Sequence, residues 1–328
     1  MKPLICITAG DLAGIGPEII SKTIKKNSRI FEFVRILIIG PQKLIDHHFE
    51  QYSDIHMSEI NVVESPDDAT HSINLMDLGS NDLKEVEAGK ISIKCGHWSH
   101  QYVLAAINMA LGGKVAAIVT APINKTAWEK AGIKHGGHTE LLAEMSSTQE
   151  YAMGFYSKNL KVILETIHIP LRDVANSIST GSILSKIKLA NKFLKQLKID
   201  PARICVAGLN PHAGENELIG SEEVDIIAPA ITEAQKIGIN VKGPYPADTA
   251  FYLTYQENKF DLIVSMYHDQ ALAPLKMVAL HDAVNITLGL PFVRTSPDHG
   301  TAYNIAGKGI ANPQSMHEAI MLAAKLLR

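Results

Sequence analysis

Short apolar runs and amphipathic stretches alternate along much of the chain. Runs rich in β-branched residues, such as Leu4–Thr8, Val34–Ile39 and Val115–Val119, have the length and composition of buried parallel strands. Residues 91–111 place apolar side chains at helical spacing and end at a Gly-Gly pair, which predicts a long helix packed on a sheet. The alternation of strand and helix therefore predicts an α/β fold with a mainly parallel sheet.

The middle of the chain departs from this alternation. Tyr151–Tyr156 and Leu160–Ile167 are two strand-like runs separated by Ser-Lys-Asn, whose turn chemistry predicts a hairpin. A hairpin makes its two strands antiparallel, so we expect the sheet to be mixed in this region.

Three of the predicted strands run into a histidine, namely His168, His212 and His268. In open α/β sheets ligands bind beyond the carboxyl ends of the strands. Three neutral imidazoles there would suit a borderline divalent cation and leave positions open for water or substrate. A single histidine at a strand end is more often structural than a metal ligand. The metal hypothesis therefore depends on finding a histidine at the ends of three strands. Lys276 brings a cation to the same region, although by itself it is more typical of a solvated surface charge.

A glycine-rich turn, Ala9–Gly16, joins the first predicted strand to a helix that is expected to begin at Pro17. Such a turn can direct backbone N–H groups at an anion. Its spacing matches neither G-x-G-x-x-G nor G-x-x-x-x-G-K-[ST], so a simple tight turn is about as well supported.

Composition narrows the range of functions. The chain has 328 residues, is 46% hydrophobic and 20% charged, and carries a net charge of −3, which indicates a globular protein and argues against nucleic-acid or membrane partners. Three unpaired cysteines and an N-terminus that turns polar at Thr8 favour a cytoplasmic protein with reduced thiols. Small-molecule chemistry is therefore expected.

Six motifs together are specific, although each alone would be weak. They are Gly10–Glu18 (GDLAGIGPE), Thr120–Lys125 (TAPINK), Gly136–Glu140 (GGHTE), Gly208–Asn216 (GLNPHAGEN), Gly243–Thr249 (GPYPADT) and Met266–Lys276 (MYHDQALAPLK). Over nearly the whole chain they resemble the 4-hydroxythreonine-4-phosphate dehydrogenases of vitamin B6 biosynthesis. In the first motif, Leu12 replaces the usual proline, a change expected to alter the stiffness of the loop more than its chemistry.

A more distant resemblance is to the isocitrate and isopropylmalate dehydrogenases, which share the Gly-Ile-Gly-Pro-Glu loop and a segment similar to His299–Pro313. It implies two α/β domains with a mostly parallel mixed sheet and a cleft between them. The expected domains are residues 1–123 with 269–328, for the nucleotide, and 124–268, for the metal and the dimer contact. It also implies a homodimer, with the active site at the subunit interface, and NAD or NADP held by the C-terminal loop.

The resemblance also implies individual roles. His168, His212 and His268 would bind a divalent cation, and three imidazoles suit Zn²⁺ or Co²⁺ better than Mg²⁺. The residues implied to contact or support a small phosphorylated substrate are His138, Thr139, Lys276, Asn285 and Arg294, with Asp248 and Asp269 as supporting acids. Those implied to bind the cofactor are His299, Gly300, Asn304 and Asn312. Asn304 stands where NAD-selective relatives tend to have Asp, which leaves the choice between NAD and NADP open.

The implied reaction is oxidation of 4-phosphooxy-L-threonine at C3, followed by decarboxylation to 3-amino-2-oxopropyl phosphate. Lys276 is the candidate proton carrier, with substrate binding as its alternative role. Relatives that act on threonate or erythronate 4-phosphate, or on dihydrodiols, are the nearest alternative. A metal-dependent hydrolase and a non-catalytic protein that binds phosphorylated metabolites are alternatives of other classes.

Overall fold

A computed structural model describes residues 2–25, 28–83 and 86–328. The strands of the described residues are β1 (Leu4–Thr8), β2 (Arg35–Gly40), β3 (Asn61–Val63), β4 (Ile73–Asp77), β5 (Ala117–Thr120), β6 (Ala152–Tyr156), β7 (Lys161–Leu164), β8 (Ile204–Ala207), β9 (Val241–Tyr245), β10 (Leu262–Ser265), β11 (Val284–Leu288) and β12 (Val293–Pro297). The helices are α1 (Gly16–Thr23), α2 (Ile30–Phe33), α3 (Gln42–Tyr52), α4 (Ile93–Leu111), α5 (Lys125–Lys130), α6 (His138–Met145), α7 (Val174–Ser177), α8 (Thr180–Gln196), α9 (Ala228–Lys236), α10 (Ala247–Tyr255), α11 (His268–Ala279) and α12 (Gln314–Leu326).

The chain forms two compact units, Met1–Thr148 with Leu290–Arg328, and Gln149–Gly289. The first unit has a parallel sheet in the order β3-β4-β2-β1-β5-β12. All five residues of β1 are buried, as expected for a strand covered on both faces. The parallel sheet predicted from the sequence is therefore confirmed in this unit.

The second unit has strands in the order β11-β6-β7-β10-β8-β9. β6 is antiparallel to both β7 and β11, whereas β7, β10, β8 and β9 run parallel. In the turn of the β6–β7 hairpin, the Ser157 hydroxyl accepts a hydrogen bond from the Leu160 N–H at 3.1 Å. The mixed sheet and the hairpin expected here are both confirmed.

The boundaries of the two units differ from those expected at 123/124 and 268/269. Residues 124–148 belong to the first unit, where Trp128 of α5 is buried and donates from Nε1 to Ser99 Oγ of α4 at 2.9 Å. Residues 269–289 belong to the second unit, because β11 pairs with β6 and α11 packs on β7 and β10. Side-chain packing and strand pairing therefore move both boundaries towards the C-terminus.

The structure adjusts one local expectation, the start of the long helix. The long helix begins at Ile93 because the Ser92 hydroxyl accepts from the Cys95 N–H at 3.3 Å, and it ends at Leu111 before the glycine pair. The Gly243–Pro244 stretch lies in β9, an edge strand, where a residue without an N–H is tolerated. No helix of the described residues is long and apolar enough to cross a membrane.

Candidate functional site

Two of the three strand-end histidines lie side by side in the second unit. His168 follows β7 and His268 is the first residue of α11, directly beyond β10, and their ring centroids are 5.5 Å apart. The pair lines a cavity of about 270 Å³ with Thr166, Tyr267 and Asp269, among others. Because β7 and β10 are neighbouring parallel strands, their carboxyl ends bring these imidazoles to one edge of the sheet.

His212 lies in a different setting, on the loop that follows β8. Its side chain is 72% exposed, and Nδ1 lies 2.9 Å from Glu215 Oε2. Residues 212–217 all have positive φ angles, between 46° and 82°, a conformation that costs free energy for every residue other than glycine. The loop that presents His212 must therefore be held in place by other contacts.

The donor chemistry of these histidines suits a metal ion. His268 Nδ1 is 2.6 Å from Asp269 Oδ1, and His212 Nδ1 is likewise paired with Glu215. A carboxylate that accepts from Nδ1–H fixes the tautomer in which Nε2 is the metal-binding nitrogen. Among the described residues of one chain, however, no three His, Cys, Asp or Glu side chains are grouped closely enough to hold a metal. His168 and His268 thus lie together, His212 does not complete a group of three with them, and the three-histidine site stays a prediction.

The other residues expected near the substrate in the second unit occupy distinct places. Asp248 is exposed in the first turn of α10, where its Oδ1 accepts from the Thr249 N–H at 2.8 Å. Lys276 is on the exposed side of α11, two turns after His268. Asn285 is half-buried on β11, opposite Phe155 of β6.

Arg294, in the first unit, is a charged group in a buried position, only 3% exposed. It lies on β12, and its Nη2 donates to Thr120 Oγ1 at the end of β5 at 2.7 Å. Burial lowers the pKa of Arg294 to about 10, with the negative charge of Glu140 acting in the opposite direction. The guanidinium therefore stays protonated at neutral pH, and a buried cation of this kind favours an anionic partner.

His138 begins α6 and is coupled electrostatically to Arg294. Its Nε2 is buried and has no hydrogen-bond partner among the described residues. Burial holds the pKa of His138 well below its usual value, and the positive charges of Arg294 and Lys125 lower it further. The imidazole is therefore neutral at physiological pH. Its neighbour Thr139 is buried.

The C-terminal segment 299–313 is held by the N-terminal turn of the same unit. Tyr303 Oη donates to Asp11 Oδ2 at 2.8 Å, and the Ile15 N–H donates to the Thr301 carbonyl at 3.0 Å. Burial raises the pKa of Asp11, although the Ala13 N–H and the Tyr303 hydroxyl oppose this effect. The segment is thus attached at two points to the glycine-rich turn.

The same C-terminal segment is also hydrogen-bonded to α1. Glu18 Oε1 accepts from the Ala311 N–H at 2.8 Å and from Lys22 Nζ at 2.7 Å. Lys22 Nζ also donates to the carbonyls of Gly309 and Ala311. These bonds fix the end of the segment before α12 begins.

The glycine-rich turn is consequently a support rather than an anion cradle. Residues 9–16 are all buried, and the N–H groups of residues 11, 13, 14 and 15 are bonded within the protein. Of the two interpretations left open by the sequence, the structure favours the tight turn.

The residues expected to bind the cofactor lie along this segment. His299 Nδ1 is 3.0 Å from the Gly300 carbonyl, Asn304 is exposed, and Asn312 Oδ1 accepts from the Gln314 N–H at the start of α12. Their role in dinucleotide binding stays a prediction.

The family described as "Pyridoxal phosphate biosynthetic protein PdxA" matches residues 32–323 of the chain. The chain belongs to the PdxA family. A 4-hydroxythreonine-4-phosphate dehydrogenase of Aquifex aeolicus is 43% identical over 328 residues, covering 100% of this chain and 99% of the relative. A D-threonate 4-phosphate dehydrogenase of Pectobacterium atrosepticum is 39% identical over 329 residues, covering 99% of this chain and 100% of the relative.

Solved structures agree with this membership of the PdxA family. A 4-hydroxythreonine-4-phosphate dehydrogenase from Klebsiella pneumoniae has a TM-score of 0.88 and 40% identity, covering 100% of this chain and 98% of its own. Isocitrate dehydrogenase from Methylococcus capsulatus, at 14% identity, has a TM-score of 0.50 and covers 100% of this chain and 85% of its own, which bears on the fold alone. The predicted fold class is confirmed, and this PdxA-family chain is a dehydrogenase.

The sequence alone assigned no role to three residues that act on Arg294 and His138. They are Thr120, which bonds Arg294, and Lys125 and Glu140, whose charges act on the pKa values of His138 and Arg294. For Thr120 and Lys125, the available signal was the polar run Thr120–Lys125 directly after a buried strand.

Proposed function

We propose that this chain oxidises 4-phosphooxy-L-threonine at C3, in pyridoxine 5′-phosphate biosynthesis. Hydride passes from C3 to NAD or NADP and the hydroxyl loses its proton, which gives a β-keto acid. Breaking the bond to the carboxylate then releases CO₂ and leaves, after protonation, 3-amino-2-oxopropyl phosphate. The observation that carries the proposal is the buried cation Arg294 beside the neutral His138, in a chain whose relatives are dehydrogenases of 4-phosphorylated acids.

Arg294 and His138 would bind an anionic group of this substrate. A guanidinium can donate two parallel hydrogen bonds to a carboxylate or phosphate, and Thr120 holds one edge of it in position. The His138 Nε2 is buried and has no hydrogen-bond partner within residues 2–25, 28–83 and 86–328, so a hydrogen bond to the substrate would satisfy it. Thr139 would add a hydroxyl, with Asn285 and Lys276 as further polar contacts.

Lys276 is the proposed proton carrier in the last step. Loss of CO₂ leaves an enol whose carbon must accept a proton, and an ammonium group can donate one. Asp269 would orient His268 through its short contact, and Asp248 would act as a supporting acid.

A divalent cation is part of the proposal. His168, His212 and His268 would hold it, and Zn²⁺ or Co²⁺ suits three imidazoles better than Mg²⁺. When bound, the cation would act as a Lewis acid that polarises the C3 oxygen during oxidation and decarboxylation.

The dinucleotide would bind along residues 299–313, with contacts from His299, Gly300, Asn304 and Asn312, and would accept the hydride. The amide of Asn304 carries no charge to repel the 2′-phosphate of NADP, so both dinucleotides fit the proposal. Three buried, unpaired cysteines, Cys6, Cys95 and Cys205, agree with a reducing cytoplasm.

A homodimer with the active site at the subunit interface completes the proposal. The second unit exposes large apolar side chains, including Leu171 at 69%, Leu218 at 83% and Met277 at 88%. Leu171 lines the same cavity as His168 and His268. Exposed apolar side chains beside a candidate site are typical of a surface that another chain covers.

D-threonate 4-phosphate is the second candidate substrate, favoured by the 39% identical relative that carries that name. The test is a substrate panel: purified protein is incubated with NAD or NADP and each of the two 4-phosphorylated acids, and reduced-nicotinamide absorbance is followed. We expect the higher kcat/KM with 4-phosphooxy-L-threonine, and 3-amino-2-oxopropyl phosphate as product. A higher kcat/KM with D-threonate 4-phosphate would replace the proposal, and release of inorganic phosphate without reduced nicotinamide would indicate a hydrolase.

A further inference from the structure

A buried hydrogen-bond network connects the loops that carry the three histidines. Its centre is the backbone of Met266, a fully buried residue two positions before His268. The Met266 carbonyl accepts from Thr166 Oγ1 at 2.7 Å and from the Thr166 N–H at 3.2 Å. Thr166 is itself two positions before His168, so these two bonds tie the His168 loop to the His268 loop.

Gln270 extends the network to the third loop. Its Oε1 accepts from the Met266 N–H at 2.7 Å, and its Nε2 donates to the Gly208 carbonyl at 2.7 Å. Gly208 is the first residue after β8, on the segment that leads to His212. Gln270 is only 9% exposed. Its side-chain oxygen therefore accepts from the loop of His268, and its side-chain nitrogen donates to the loop of His212.

Glu223 holds the remainder of the His212 loop. Its Oε1 accepts from the N–H groups of Leu209 and Asn210, each at 2.7 Å, and its Oε2 accepts from Asn210 Nδ2 at 2.9 Å. Glu223 is buried, and hydrogen bonds to a carboxylate are among the stronger ones in proteins. These bonds hold the two residues just before Pro211, and residues 212–217, which have positive φ angles, follow directly. The bonds therefore offset part of the free-energy cost of that backbone conformation.

We propose that Thr166, Gln270 and Glu223 are positioning residues for the divalent cation: together they set where the three loops present His168, His212 and His268. Metal ligands must be held within a few tenths of an ångström, and His212 lies on a loop of unfavourable backbone conformation. The network supplies that constraint through hydrogen bonds to the backbone of the three loops. The inference rests on the metal of the proposed function and applies whichever subunit supplies each histidine, because each loop is tied within its own chain.

The competing explanation is that the network only stabilises the fold. Thr254 offers a matched control, because it is buried in the same unit and its hydroxyl donates at 2.8 Å to a backbone carbonyl, that of Ala250. Thr166→Val and Thr254→Val each delete one buried threonine hydroxyl. Only the first bond joins two histidine loops, so a purely structural role predicts the same effect of both changes on metal binding.

The test measures Zn²⁺ affinity of the full-length protein by competition with a chromophoric chelator, and the visible absorption of the Co²⁺-loaded form. The variants are Thr166→Val, Thr166→Ser, Gln270→Met and Thr254→Val, and urea unfolding of each metal-free protein provides the measure of stability. We expect Zn²⁺ binding to weaken about 10- to 100-fold in Thr166→Val and Gln270→Met, the usual range for partners of metal ligands. Thr166→Ser should bind within about twofold of the parent because the hydroxyl is retained, and Thr254→Val should bind as tightly as the parent.

Equal Zn²⁺ affinity in the parent, Thr166→Val and Gln270→Met would overturn the inference while leaving the metal proposal intact. Equal weakening in Thr254→Val and Thr166→Val would also overturn it, because stability alone would then explain the loss. If Gln270→Met does not fold, the pair Thr166→Val and Thr166→Ser decides the question by itself. Absence of Zn²⁺ binding in the parent, at the level of a His268→Ala variant, would refute the metal of the proposed function and with it this inference.

Discussion

At the scale of single residues, the first unit places a permanent cation where water cannot solvate it. Arg294 is buried, donates a hydrogen bond to Thr120 and lies within the field of the Glu140 carboxylate, and the nearby His138 is kept neutral by burial and by positive charge. An anionic ligand that reached this guanidinium would interact with it in a low-dielectric setting, where charge–charge attraction is strong.

Replacing Arg294 tests the anion site. Arg294→Ala should raise KM for the phosphorylated substrate about 10- to 100-fold, since hydrogen bonds to charged groups contribute about 1.5–3 kcal/mol. Arg294→Lys should be intermediate, because it keeps the charge without the planar fork. Steady-state kinetics would measure this, with Arg203→Ala, a partly exposed arginine paired with Asp261, as control. An unchanged KM in Arg294→Ala would remove Arg294 from the site.

His138 should make stability depend on pH. Its folded-state pKa is lowered, so as pH falls the unfolded chain binds the proton first, and the free energy of unfolding decreases below about pH 6.5. The contribution is at most about 1.4 kcal/mol per pH unit. His138→Asn should flatten the slope in urea unfolding between about pH 6.5 and 5. His281→Asn, at an exposed histidine, controls for loss of an imidazole, and an identical slope in parent and His138→Asn would contradict the prediction.

Lys276→Ala separates oxidation from protonation. If Lys276 is the proton carrier, the variant should still reduce NAD but produce 3-amino-2-oxopropyl phosphate more slowly, by a factor of about 10²–10⁴. Product analysis by mass spectrometry alongside nicotinamide absorbance would distinguish the two steps. A parallel loss of binding and of both steps would reduce Lys276 to a substrate anchor.

At the scale of elements, the glycine-rich turn and α1 support the C-terminal segment. Asp11 and Glu18, both buried, accept hydrogen bonds from Tyr303 and from the Ala311 N–H. If residues 299–313 bind the cofactor as proposed, the first βα turn would contribute to dinucleotide binding indirectly, by fixing the shape of that segment.

Tyr303→Phe tests this support. Loss of one hydrogen bond to a buried carboxyl, about 1 kcal/mol, should weaken NAD binding about fivefold by loosening the segment. Isothermal titration would measure the Kd for NAD, and Tyr252→Phe, at an exposed tyrosine of the second unit, provides the control. An unchanged Kd for NAD in Tyr303→Phe would mean that the bond to Asp11 has no part in shaping the cofactor segment.

At the scale of the whole molecule, one chain does not bring the three predicted metal ligands together. His168 and His268 lie close to each other, whereas His212 is exposed on its own loop. The same unit exposes large apolar side chains, which is where the proposed second subunit would pack.

Mixing two inactive variants tests the shared site. His212→Ala and His268→Ala should each be inactive, whereas a mixture of the two variants allowed to exchange subunits should recover up to about a quarter to a half of parental activity. Recovery arises because one of the two sites in a heterodimer then has every histidine. Activity would be assayed after subunit exchange has been verified with differently tagged chains. No recovery despite verified exchange would mean that His212 and His268 of one site come from the same chain.

The sequence by itself determined the α/β class, the parallel strands, the β6–β7 hairpin and the C-terminal end of α4. These features depend on local periodicity, glycine placement and turn chemistry, which act over a few residues. The sequence also located His168 and His268 at strand ends, because a buried run followed by a polar residue marks the carboxyl end of a strand.

Only the tertiary structure decided the features that depend on distant contacts. The boundaries between the units follow from how α5 and α11 pack. The glycine-rich turn supports the C-terminal segment because it forms hydrogen bonds with Thr301 and Tyr303, almost 300 positions later in the chain. The burial of Arg294 against Thr120, 174 positions earlier, and the lowered pKa of His138 follow from the fold around them. Desolvation and long-range charge are properties of the packed molecule, and no local pattern of residues encodes them.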